Sequence, residues 1–528
     1  MRWPLAQESG TLSQRSRRPG REAIKEQRRA RKQAQRALRQ QQRAQGLSVP
    51  ARPSLPNRKC PYQDQEEERA ARLEAVSQQV KVYRAMLPGL LQRLSKIADP
   101  RNPRKLRHQL TVLMLYGIWC FAFQMSSRRE ANRQMTRPMF EANLRQLFPD
   151  LEELPHQDTL ARLLARIQVD QIEQAHRDMI RQLIRSKKFR RYLIGGCYPI
   201  AIDGTQKFTR AQCWDAACLE RKVGSKKAQE PPSEPQKQYY VYVLEANLAF
   251  ANGRVIPLLS EVLSDLEGES PKDKQDCEQR AFGRLAQRLK ECFSHLPILL
   301  LLDGLYPNGP IIQRCRQNNW DFRIVLQDDS LPTVWEEIEG LKKLEPPKQW
   351  SQNWGDRRQR FQWFNDLDYV YADPTTQRPR KHRLHVVICE ESWEEIAPQS
   401  TALVQKTSRH VWISAEPLHR ANVHSRCNLG ARHRWGIESG LLVEKHHGYQ
   451  YEHCFSYTWE AMRGYHYLMR LGHALNVLAR YSAALAKYVR DLGVRGLIDF
   501  VRQTLANPWL KVQELQQIAT APCQIRLE

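Results

Sequence analysis

The stretch Arg434-Trp435-Gly436-Ile437-Glu438, followed by Lys445, sets one acid between two bases at i−4 and i+7. On a helix these offsets are rotations of about −40° and −20°, so the three side chains share one face. Upstream, Asp203 and Asp303 each close an apolar run (198–202 and 296–302), and each is followed by glycine. Three carboxylates on separate elements, one of them flanked by bases, suit metal-dependent chemistry on a polyanion. Magnesium, with manganese as its substitute, takes oxygen ligands and retains water, so a two-ion site is built from carboxylates rather than His or Cys. In that reading Asp203 bridges the ions, and Asp303 and Glu438 complete opposite shells. Arg434 would grip a phosphate bidentately and Lys445 would supply a mobile charge. Plainer readings stand beside these. Asp-Gly is a common turn pair, and Arg434 with Glu438 makes an ordinary helix salt bridge worth about 0.2–0.5 kcal/mol.

The elements that must position these acids follow from hydrophobic rhythm. Residues 198–203, 239–244, 255–259 and 296–303 read as strands, the middle two joined around Asn252-Gly253. A helix over 276–293 carries Ala281, Phe282, Leu285, Leu289 and Phe293. Strand, hairpin partners, helix, strand is an α/β order. Short β-type runs at 322–326, 361–364, 369–371, 384–388 and 410–414 interrupt it before a helix resumes near Ala421 and continues past Glu438. Residues 67–187 are helical in pattern, broken by Pro88, with Asp158 or Thr159 as a helix N-cap. The division expected is a basic arm at 1–60, a helical DNA-binding domain at 67–187, a core at 190–320, a β-rich insertion at 321–415, the rest of the core at 416–455 and a helical tail at 456–528.

The chain has 528 residues, with 83 Lys+Arg against 57 Asp+Glu, a formal net charge of +26. That balance favours a nucleic-acid partner. Half of it lies in residues 1–60, which hold sixteen bases and three acids. Between Glu22 and Gln45 the composition favours helix but offers few apolar anchors, so the arm reads as disordered alone and helical against DNA, or else as a solubilising tail. Twelve scattered cysteines and no apolar stretch after Met1-Arg2-Trp3-Pro4 point to reduced thiols in the cytoplasm. The longest apolar run, 110–123, is shorter than the roughly 20 residues a membrane span needs and reads as a buried core helix.

With Asp203-Gly204-Thr205, Asp303-Gly304-Leu305-Tyr306 and Arg434…Glu438…Lys445 in hand, the chain resembles bacterial insertion-sequence transposases of the DDE class. It is similar to the branch with a ribonuclease H-like core, a β-rich insertion before the last acid and a tyrosine-arginine-glutamate-lysine signature. Arg434, Glu438 and Lys445 match the last three members of that signature, while the tyrosine position falls on Ala431. Lys274-Gln275-Asp276-Cys277-Glu278 and Trp412-Ile413-Ser414 also look like segments of this family, and the resemblance spans roughly residues 95–480. It implies Asp203, Asp303 and Glu438 as catalytic metal ligands for Mg²⁺, and double-stranded DNA, terminal inverted repeats and target alike, as partner. It further implies a homo-oligomeric synaptic complex, a cytoplasmic, nucleoid-associated place in a bacterium, and DNA cleavage followed by strand transfer. A metal-dependent nuclease without strand transfer, and a catalytically silent DNA-binding descendant, remain alternatives.

Two smaller features are weighed beside these. Cys213 and Cys218 could be drawn as half a zinc site, though structural zinc shows tighter paired knuckles, and incidental thiols are the plainer reading. Trp354, Trp363, Trp412 and Trp435 are either core or, from the insertion, a platform for an extruded base. No glycine-rich phosphate loop occurs, so ATP-driven chemistry has no support in the sequence.

Overall fold

The apolar runs that end in acids become the middle of a mixed sheet. The computed structural model describes residues 20–48, 55–57, 59–151, 153–223, 236–264, 274–374, 376–398, 400–523 and 525–527. Its strands in chain order are β1 (Tyr198–Arg210), β2 (Leu219–Val223), β3 (Gln236–Ala249), β4 (Val255–Leu263), β5 (Ile298–Leu302), β6 (Asp321–Val325), β7 (Lys348–Trp354), β8 (Arg357–Ala372), β9 (Pro379–Ile396) and β10 (Leu403–Ser414). The chain divides into two units. The larger holds 53–347, 363–387 and 411–528, and the smaller holds 1–52, 348–362 and 388–410.

In the larger unit β4, β3 and β1 are antiparallel neighbours, and β1, β5 and β6 are parallel ones. β10 then pairs antiparallel with β6 through Trp412–Ser414. All five residues of β5 are buried, with no alternation, because a central parallel strand is covered on both faces. The β3–β4 hairpin turns at Gly253, whose φ of 80° suits glycine. Helices Lys274–Cys292 and Trp435–His446 pack on this sheet, and Trp459–Arg480 packs on β4 and on Leu110–Ala122. In that last helix every residue except Thr111 is buried. Among the described residues no helix is long and apolar enough to cross a membrane.

The helical region begins at Gln65–Leu94, where the Asp64 carboxylate accepts from the Glu67 amide. Pro88 lies inside this helix rather than breaking it. The helix expected after Asp158 starts earlier, at Gln157, and its cap is His156, whose ring accepts from the Asp158 amide. The stretch 321–415, expected as a β-rich insertion, is divided between the two units. Strand β6 and the C-terminal part of β10 belong to the larger unit, and a helix, Pro332–Leu344, separates β6 from β7.

The smaller unit combines parts of β7–β10 with a 24-residue helix, Arg21–Ala44. The sequence suggests an arm without structure of its own there. The apolar anchors are few but spaced for one face: Leu38 is buried on the helix, with Gln42, and Leu47 is buried just beyond it.

Candidate active site

Asp203 and Asp303 are brought level by strand register. β1 and β5 pair in parallel from Tyr198 with Ile298 to Ala201 with Leu301, an offset that, continued two residues, aligns the two aspartates. Asp303 ends its strand as expected, its Oδ1 accepting from the Leu305 amide at 2.9 Å in a tight turn. Asp203 does not end its strand. β1 continues to Arg210 because β3 pairs with it along that length, so Asp203 is held in mid-strand, with Oδ1 accepting from the Gly204 amide at 2.9 Å.

Glu438 arrives on a broken path. Instead of one helix from Ala421, the chain makes a short helix Val423–Cys427, a 3-10 turn Ala431–Arg434 and then Trp435–His446. Glu438 sits in the first turn of that last helix, where the helix dipole favours an acid. Buried Arg434 donates from Nη2 to Glu438 Oε1 at 2.8 Å, so the plain salt bridge does form. Its guanidinium also lies 4.6 Å from the centre of the Trp435 ring, and its Nε is buried without a hydrogen-bond partner among the described residues. Lys445 bridges to Glu452 at 3.0 Å, two turns along the helix, so it is engaged away from the Arg434–Glu438 pair. Ala431, at the signature's tyrosine position, is buried.

One electrostatic fact gathers these groups. The Asp203 carboxyl is pushed up to about 7, first by burial and next by Asp303; Arg434 pulls it down, and Glu438 and Glu278 push it further up. The three expected acids and Arg434 therefore share one field, with a fourth acid that the motif reading did not assign to the site. Glu278 is buried on Lys274–Cys292 and accepts from the Tyr242 hydroxyl at 2.6 Å. Nearby Tyr306 is fully buried, its hydroxyl without a hydrogen-bond partner among the described residues. Burial, with Glu278, Asp303 and Asp203, keeps that hydroxyl from ionising.

The two glycines serve packing. A Cβ on Gly204 would lie 2.7 Å from the Tyr242 hydroxyl and 2.9 Å from Glu278 Cδ, and one on Gly304 would lie 2.6 Å from the Gln327 side chain. Their bare faces are thus covered by protein side chains. The only local signal for Glu278 is its place in the segment 274–278.

An all-carboxylate donor set with a deficit of positive charge is the chemistry that Mg²⁺ or Mn²⁺ prefers. As the side chains stand, no three His, Cys, Asp or Glu among the described residues form a ready ion cage, and Oε1 of Glu438 is engaged by Arg434. Cys213 is exposed and Cys218 buried, again with no metal-holding group among the described residues. Of the tryptophans considered, Trp363 and Trp412 are buried core, whereas Trp435 is 59% exposed beside Glu438. The most exposed of the four thus belongs to the helix of the third acid, while Trp354, on β7, is half-buried.

Residues 91–180 match the family described as DDE_Tnp_1-associated. Among solved structures, piggyBac transposase in its synaptic complex with hairpin DNA matches over 82% of each chain, at 13% identity and a TM-score of 0.31. No curated protein matches the chain.

Proposed function

We propose that this chain is a DNA transposase that cuts at transposon ends and joins the freed 3′-hydroxyls to target DNA, on a core of the ribonuclease H type. The observation that carries the proposal is the parallel register that sets Asp203 level with Asp303 in the centre of the sheet, with Glu438, bonded to buried Arg434, acting on the same carboxyl. The strand order β4-β3-β1-β5-β6, antiparallel then parallel, supports the core assignment. The helical match at 91–180, to a family described as DDE_Tnp_1-associated, supports the DDE assignment.

Asp203, Asp303 and Glu438 would hold the divalent ions, which when bound supply the positive charge for in-line displacement at phosphorus. The chain's own residues do the rest. Paired strands fix the level of Asp203 and Asp303. Arg434, released from Glu438, would turn its guanidinium to a phosphate oxygen, and Trp435 presents an exposed ring beside it. Glu438 would exchange its bond to Arg434 for the ion, freeing the guanidinium for the strand. Lys445 reaches DNA in this reading once Glu452 gives way.

The test is cleavage and joining of DNA carrying the element's ends in Mg²⁺ or Mn²⁺. Asp203→Ala, Asp303→Ala and Glu438→Ala should each lose both reactions, by about a thousandfold or more, while retaining DNA binding. Near-normal cleavage by any one of them removes that residue from the ligand set. A wild-type chain that binds ends yet never cuts would be the silent DNA-binding descendant.

A further inference from the structure

The helix Arg21–Ala44 carries nine bases and two acids, and the structure gives them an arrangement. Lys25, Arg29, Lys32, Arg36, Arg39 and Arg43 follow one another at steps of three or four residues, and all six are exposed. On a helix they fall within about 40° of one line and extend over about 27 Å. The opposite side is the attachment. Ile24, Ala34, Leu38 and Gln42 are at least partly covered, on a line roughly 120° around the helix from the basic one.

The attachment is specific. Gln42 donates to the Glu394 carbonyl at 3.1 Å, Arg358 donates to Gln45 Oε1 at 2.7 Å, and the Ser48 amide donates to the Gly355 carbonyl at 2.8 Å. The helix ends in a glycine cap. Gly46, at φ 75°, donates to the Arg43 carbonyl, and buried Leu47 donates to that of Gln42. A solubilising tail requires none of this. The sequence fixes one face of the helix to strands of the same unit and leaves a straight cationic ridge on another. None of the six cations is in an ion pair with a described residue.

From this arrangement we propose that the ridge is a docking surface for the phosphate backbone of duplex DNA, separate from the acidic site. The argument is charge complementarity between two rigid rods. B-form DNA presents about one negative charge per 1.7 Å of its axis and is stiff over a length far greater than the ridge. Six ammonium and guanidinium groups in line, with no base-reading pattern among them, make a sequence-neutral contact governed by counterion release. The inference deepens the proposed transposition and rests on that reading for the choice of DNA over other polyanions.

The test uses the full chain, a labelled duplex of arbitrary sequence and a KCl series. Lys32→Gln, Arg36→Gln and Arg39→Gln combined keep good helix formers at exposed positions, and the same three changed to Glu reverse the charge. The expected result is a loss of affinity of about tenfold or more for the Glu variant, an intermediate loss for the Gln variant, and a salt slope shallower by about 2 to 3. Binding and slope equal to the wild type in both variants overturn the ridge. Cleavage by the wild type is scored in parallel. Cleavage present with unchanged binding in the variants sinks only this inference, whereas a ridge effect without any cleavage sinks only the catalytic reading.

Discussion

Strand β1 and the helix Trp435–His446 each send charge to two places, and the two places handle it differently. Asp203 and Glu438 go to the candidate active site. Lys207 and Glu444 go to a buried network with Glu245, Arg470, His466 and His473. In the network every acid has a cation. Arg470 reaches Glu444 Oε1 and Oε2 at 3.0 Å and Glu245 Oε2 at 3.1 Å; His473 lies 2.7 Å from Glu444, and the Tyr451 and Ser260 hydroxyls donate to Glu245. Burial would raise both carboxyls, yet Arg470 and the histidines hold them below the ordinary range. At the active site burial meets a second acid instead, and Asp203 rises to about 7. Interior charge can be neutralised within this fold, and on the same two elements it is. The site where it is left unbalanced is the one where the proposed function places an external cation.

Removing the neutralising partner should have the largest effect on stability. Arg470→Met leaves Glu245 and Glu444 buried without their guanidinium, a change expected to destabilise by about 3–5 kcal/mol. Urea unfolding measures it. A loss below about 1 kcal/mol would mean that the histidines and hydroxyls suffice, and the contrast between the two regions would weaken.

Asp203→Asn should act in the opposite sense. A folded carboxyl at about 7, against an ordinary 3.8, favours its protonated form. Its contribution to stability is therefore complete below about pH 4 and is lost as pH rises through about 7. At pH 8 without metal, the Asn variant should be more stable than the wild type, on the order of a few kcal/mol, and the gap should close in acid. Mg²⁺ at pH 8 should raise the melting temperature of the wild type alone. A gap independent of pH would remove the charge deficit, and with it the reason for calling this region different.

How far the sequence discloses these two regions depends on how local each cue is. Asp203 and Asp303 stand out because each closes an apolar run, and Glu438 because its helical spacing from Arg434 is a local property. The same spacing puts Lys445 on that face but cannot foresee Glu452 as its partner. Nor can it foresee the interruption at 428–434 that delivers Arg434 from a 3-10 turn. Glu278 needs tertiary structure, because one acid in a polar helix start is unremarkable until Tyr242 and Gly204 meet it. Glu245 and Asn247 are polar residues in the apolar stretch 239–249 of β3, and nothing local to them discloses their partners on Trp459–Arg480. For the basic helix, the sequence shows the charge; the narrow line through Leu38 and Gln42 acquires meaning only once a sheet lies against it.

The smallest expected effect tests whether the acidic site is as tightly built as the network. A methyl on Gly204 would fall 2.6 Å from Tyr242 Cε1 and 2.9 Å from Glu278 Cδ, and Tyr242 is tied to Glu278 by a 2.6 Å hydrogen bond. Gly204→Ala must therefore displace the tyrosine, the glutamate or the strand beside Asp203, at an expected loss of about 1–3 kcal/mol together with reduced cleavage. Gly283→Ala is the control on the helix that carries Glu278. A Cβ there meets nothing within 4 Å, so helix propensity alone should stabilise the chain by about 0.5–1 kcal/mol and leave cleavage unchanged. If Gly204→Ala behaves like Gly283→Ala in both readouts, the Tyr242–Glu278 pair has slack. The acids would then be held by the strands alone, and Glu278 would be a bystander to the field that raises Asp203.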